Sequence, residues 1–232
     1  YFLAGTQHGA GSFPPRKNAT QQFANPNDYR WALRALLPAL VAWVKEGKEP
    51  PPSRVPSLRS GELAPPGELK FPRLPGVEIP ARPQRAWRAD YGPRFRTEGV
   101  VTKEPPGAGK PFPVLVPQVD ADGNEIAGIR LPCLQAPLGT YTGWNLRDPA
   151  IGAPGELFSM VGSFLPFART KGDRAKGDPR ASIAERYTGV GDYLAAVTAA
   201  AKKLAREGFL LEADIPAIAA RSRKEWEYWM TR

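Results

Sequence analysis

The chain is poor in the residues from which many reactive and metal-binding sites are built. It holds one cysteine, Cys133, and one histidine, His8, in 232 residues. A lone cysteine excludes an intrachain disulfide. One cysteine with one histidine is too small a supply for a zinc cluster, so no metal and no other cofactor is expected. No apolar run approaches the roughly 20 residues that a bilayer-spanning helix needs, so no transmembrane segment is expected. No signal-peptide pattern and no internal repeat is visible. The pattern G-x-S-x-G, a strand-to-helix turn that presents a nucleophilic serine, does not occur; Ser12 in "GAGSF" and Ser163 in "VGSFL" have the wrong spacing for it. The net charge is +9, yet no run of five basic residues occurs, and the densest basic piece, Arg169 to Arg186, also carries Asp173, Asp178 and Glu185. Charge spread in this way predicts a solvated surface, or a positive subunit facing a more acidic partner, and no nucleic-acid site.

Proline, by contrast, is abundant, at 27 residues against an average of roughly 5%. Most fall between Pro50 and Pro117, which predicts loops, turns and short edge strands there. Ahead of that segment, Tyr1 to Ala4 are apolar and Gly5 follows, the pattern of a short buried strand ending at a turn. Thr6 to Pro26 read as a Gly/Pro/Asn-rich loop. "NDYRWALRALLPALVAWVKEG" predicts a long helix: Leu33, Leu36, Leu37, Leu40 and Val44 recur at helical spacing, with Trp43 beside them. Asn27 or Asp28 suits its N-cap and Gly47 its stop, while Pro38 should kink it at about 3 kcal/mol if unrelieved. So apolar a helix is expected to pack on more than one side.

"PFPVLVPQVDADGNEIAGIRLP" predicts a hairpin, with arms Val114 to Val119 and Ile126 to Leu131 and a turn at Asp122-Gly123. The acidic "DADGNE" resembles a calcium loop only superficially, because Leu131 stands where the twelfth-position Glu is required. Tyr141 to Pro166 are aromatic and Gly-rich and suit a packed loop. Two terminal helices follow, the first with Leu194, Val197, Ala201 and Leu204 on one stripe and Gly208 as its end, the second opening at Asp214. Trp226, Tyr228 and Trp229 read as docking residues of that second helix, or as contacts to a missing partner.

His8 lies where a strand passes into a loop, in "GTQHG", a place where α/β folds hold catalytic groups. Gly5 and Gly9 would let the backbone turn sharply around it. Strand, histidine loop and helix are the last step of an order in which serine comes first, then an acid, then histidine.

"YFLAGTQHG", "NPNDYRWALRALLPALVAWVKEGKEPPPSR", "PVLVPQVDADGNEIAGIRLP" and "LGTYTGWNLRDPAIGAPGEL" resemble consecutive blocks of the bacterial alpha/beta hydrolase domain family of large serine hydrolases. The resemblance implies an α/β fold: the C-terminal part of an α/β-hydrolase sheet (last strand, His loop, final helix) with a Pro-rich, hairpin-containing and C-terminally helical extension. It implies that residues 1–48 hold the last strand, catalytic-His loop and helix, 49–190 the extension, and 191–232 the terminal helices. It implies that His8 is the triad histidine of an esterase or amidase working through an acyl-enzyme. Serine and acid are then expected on a companion chain or an N-terminal fragment, which the start without methionine also suggests, leaving this chain inactive alone. Tyr141, Trp144 and Asn145 are the candidate contacts to a small-molecule ester or amide, with a loop pinned to the core by Trp144 as the alternative. Phe158, Phe164 and Phe167 are expected in the core, with a pocket wall as the alternative. The rival expectation is a non-catalytic assembly subunit that binds a partner protein.

Overall fold

The three long helices form where apolar spacing predicts them. A computed structural model describes residues 1–231. In chain order its elements are β1 (Phe23–Ala24), α1 (Arg30–Glu46), β2 (Leu63–Ala64), β3 (Trp87–Asp90), α2 (Phe95–Glu98), β4 (Gly107–Pro111), β5 (Val116–Pro117), α3 (Pro132–Gln135), β6 (Gly139–Tyr141), β7 (Ser163–Pro166), α4 (Ile183–Arg186), α5 (Val190–Arg206) and α6 (Ile215–Met230). Gly47 ends α1 in the left-handed region, φ 68°, and Gly208 follows α5 at φ 80°. Both are conformations that a Cβ disfavours. Helix α1 runs unbroken through Pro38.

The core lies between α5, α6 and the segment from Ile129 to Leu138, with Ala32 of α1 at its edge. Tyr193 of α5 stacks on Trp226 of α6, ring centroids 5.3 Å apart. A second cluster joins Ala4, Leu134, Tyr141 and Phe164. Phe164 and Phe167 are therefore core residues, while Phe158 is only half-buried. Trp229 packs on Phe23 and Phe164, the docking role its position suggests.

The strands pair otherwise than their neighbours in sequence suggest. β7 sits between β1 and β6 in an antiparallel three-stranded sheet, and β2 with β5 and β3 with β4 form two-stranded ribbons. The turn expected at Asp122-Gly123 is present, with Gly123 at φ 82°. Its arms make a single antiparallel bridge, Val119 to Glu125, in place of the expected hairpin ladder. Pro113 and Pro117 lack the N–H groups a longer ladder needs, and Val116–Pro117 pairs with Leu63–Ala64. The N-terminal apolar segment likewise makes one parallel bridge, Leu3 to Ile129, because Gly5, at φ 57°, turns the chain two residues later.

Asp214 holds the N-cap position of α6, as expected, without a side-chain cap bond; its carboxylate receives Arg34 of α1 at 2.9 and 3.1 Å and so ties the two helices together. Helix α1 is not packed on several sides by this chain. Only Ala32 and Ala35 are buried, while Leu33, Leu37, Leu40, Val41, Trp43 and Val44 stand exposed. The basic piece Arg169 to Arg186 is not simply a solvated surface either, since Arg180 is buried within it.

Candidate active site

Asn25 and Asn27 fix the backbone that carries His8. Both side chains are almost wholly buried. Asn25 Nδ2 donates to the carbonyls of Gly5 and Thr142, each at 2.9 Å, and its Oδ1 accepts the Asn27 N–H at 2.8 Å. Asn27 Nδ2 donates to the carbonyls of Ala4 and Gly5 at 3.3 and 3.0 Å. Asn27 is thus a brace of the preceding loop and not a helix cap; Tyr29 holds the N-cap position of α1 and makes no side-chain cap. Tyr29 instead sends its hydroxyl back to the His8 carbonyl, 2.7 Å away. From the other side the Gly162 N–H donates to Gln7 Oε1 at 2.9 Å.

Glycine matters at two points of this loop, Gly5 and Gly11. At Gly5 the positive φ is joined by Leu134, whose Cδ2 would lie 2.6 Å from a Cβ. At Gly11 a Cβ would sit 2.2 Å from the carbonyl carbon of Pro26. Gly9 has open space around it. Gly11→Ala is expected to destabilise the protein by about 1–3 kcal/mol, the range of overpacking, because backbone and not a flexible side chain must move. A denaturation midpoint equal to that of the unchanged protein would count against this close approach.

His8 itself is exposed, and among the described residues its imidazole makes no hydrogen bond. Ser163 is wholly buried and donates its hydroxyl to the Trp144 carbonyl at 2.7 Å, so it serves the sheet. Ser12 is exposed on the His8 loop.

A cavity of about 200 Å³ opens beside this loop, lined by Phe71, Glu125, Tyr141, Thr142, Gly143 and Trp144 among others. Gly143 lies close enough to Thr6 that a Cβ would be 3.0 Å from its carbonyl oxygen. Tyr141 and Trp144 therefore come together on the wall, and Phe71 meets Trp144 at 5.6 Å between ring centroids. Asn145 is not with them. It is fully buried, and its amide donates to the carbonyls of Gln22 and Gly162 at 3.1 and 3.3 Å. An amide so engaged cannot meet a ligand, and the adjacent aromatic residues give no hint that it turns inward.

Glu125 is the residue that sequence reasoning missed. Its Oε2 accepts the Gly5 N–H at 2.6 Å, three residues before His8. Burial pushes its carboxyl up to about 7, against the opposing pull of that N–H. In the sequence it looks like one more acid of a polar turn. The only signal is its place at the head of the apolar arm Ile126 to Leu131.

The acids of that turn are engaged. Asp120 receives Arg130 at 2.8 Å, and Asp122 receives both terminal nitrogens of Arg186. Among the described residues no helix is long and apolar enough to cross a membrane. Residues 2–220 match the family model described as alpha/beta hydrolase domain. No curated protein and no solved structure matches the chain.

Proposed function

Since the chain belongs to the alpha/beta hydrolase domain family, we propose that His8 is the general base and acid of a serine hydrolase that cleaves an ester or amide through an acyl-enzyme. One observation carries the reading. Asn25, Asn27, Tyr29 and Gln7 all brace the backbone around an imidazole that makes no hydrogen bond among the described residues. A loop fixed so firmly around an unengaged, exposed side chain suits a group held ready for a reactant.

In this reading His8 takes the proton of the attacking serine and returns it to the leaving group. The serine and the acid come from a segment or chain outside Tyr1–Arg232. Two features favour such a companion. The stripe Leu33, Leu37, Leu40 and Val44 is apolar and uncovered, with Leu37 62% and Val44 76% exposed. The N–H of Leu3, on the edge opposite its bridge to Ile129, donates to nothing among the described residues. The last strand, His loop and helix of a hydrolase sheet would be residues 1–48, with 49–190 and 191–232 as the extension and terminal helices. The stripe equally fits an assembly subunit without catalysis, and labelling separates the two.

A fluorophosphonate probe applied to the protein purified from its native source is expected to label a companion polypeptide and not this chain. Introducing Leu37→Glu with Val44→Glu, both exposed here, is expected to weaken companion binding by roughly 100-fold, the loss of two buried aliphatic contacts. Labelling of this chain, or an active protein containing this chain alone, overturns the companion; no labelled companion favours the assembly subunit.

A further inference from the structure

We propose that the cavity beside the His8 loop receives an ammonium group attached to an aromatic or alkyl body, with the Glu125 carboxyl as its counterion and Phe71, Tyr141 and Trp144 as its walls. Among the described residues that line the cavity, Glu125 is the only charged one. The remaining lining is largely proline and aliphatic, including Leu69, Ile79 and Val116. The chain carries 32 lysines and arginines, and among the described residues twelve ion pairs form. None of them reaches Glu125, whose one hydrogen bond among the described residues is the Gly5 N–H. An acid on an apolar wall, left without a cation by so basic a protein, lacks a counter-charge that a ligand can supply.

Aromatic rings favour a cationic ligand over a neutral donor. Ring faces attract ammonium groups, and more strongly where water is excluded. Phe71 and Trp144 are already in contact, and the buried Tyr141 belongs to the same lining. Burial raises the Glu125 carboxyl by taking its charge out of water, against the pull of the Gly5 N–H, a cost that a bound cation offsets. The inference deepens the proposed function: the substrate is an ester or amide whose acyl or leaving portion bears an amine.

The test is calorimetric titration at pH 8 with two probes of equal length, phenethylammonium chloride and neutral 2-phenylethanol. The ammonium is expected to bind about tenfold or more tighter than the alcohol. Glu125→Gln keeps a carbonyl oxygen for the Gly5 N–H, and is expected to remove that preference while leaving alcohol binding within about threefold. Equal binding of the two probes by the unchanged protein, or binding of neither, overturns the inference without any variant. A preference that persists in folded Glu125→Gln overturns it as well. The readout is binding alone, so an ammonium-selective cavity in a protein without hydrolase activity would defeat the proposed function and leave this inference standing.

Discussion

His8→Ala is expected to lower hydrolysis by the assembled enzyme by about 10²–10⁴-fold, the contribution of a positioned general base, with no change in thermal midpoint. Both halves of that result follow from the loop. The side chain is exposed and makes no hydrogen bond among the described residues, so its removal leaves no cavity and no orphaned partner there. The contact that involves His8 uses its backbone carbonyl, which Tyr29 reaches at 2.7 Å and which alanine retains. Asn25 and Asn27 hold Ala4 and Gly5, not the imidazole. A purely structural histidine would show the opposite pattern, with a lower midpoint and intact turnover. Added imidazole distinguishes the cases further, since it is expected to restore part of the rate only if the missing group is a proton carrier. Unchanged kcat/KM in His8→Ala would sink the catalytic assignment.

What the sequence made legible here was whatever depends on near neighbours. Helices α1, α5 and α6 follow from apolar residues three and four apart, and Gly47 and Gly208 mark their ends through a backbone preference of single residues. Family membership was legible from long ordered blocks. Strand partners were not, because pairing is chosen across the chain: Val116 lies against Ala64, and Phe164 lies between Phe23 and Tyr141. The same limit hid the site's braces. Asn27 looks like a helix cap because it precedes a helix, and only the fold brings Ala4 and Gly5 to its amide. Glu125 looks like turn polarity until Gly5 is placed on it. Helix α1 shows the converse. Its apolar spacing predicts a packing face, but amphipathicity does not say which surface does the covering, and among the described residues most of that face stands exposed.

Arg180 is where a charge-based reading fails most completely, and its replacement is expected to have the largest effect on stability. Arginine in a basic, Gly-containing stretch predicts exposure, yet the Arg180 side chain is 7% exposed and that of its partner Asp178 only 9%. The pair is bidentate, Nε to Oδ1 at 3.0 Å and Nη2 to Oδ2 at 2.7 Å. The remaining nitrogen donates to Thr140 Oγ1 and to the Leu165 carbonyl, both at 3.0 Å, so one guanidinium pins the loop to β6 and β7. Arg180→Ala would leave a buried carboxylate without its partner, a defect worth about 3–5 kcal/mol. For a chain of this length that lowers the melting midpoint by about 10 °C. Asp178→Asn in the same background removes the stranded charge and is expected to recover part of the loss, giving a coupling energy that surface pairs do not show. Acid provides a second check. Burial works to raise the Asp178 carboxyl, but the hydrogen bonds and charge of Arg180 outweigh it and hold it below the ordinary range. A carboxyl lowered in the folded state contributes stability above its unfolded pKa, near 4, and loses it as pH falls through the folded value. The gap between the unchanged protein and Arg180→Ala is therefore expected to be widest near neutrality and to narrow below about pH 4. A gap that held constant into strong acid would mean that Arg180 acts through packing and its carbonyl contact, with its charge irrelevant.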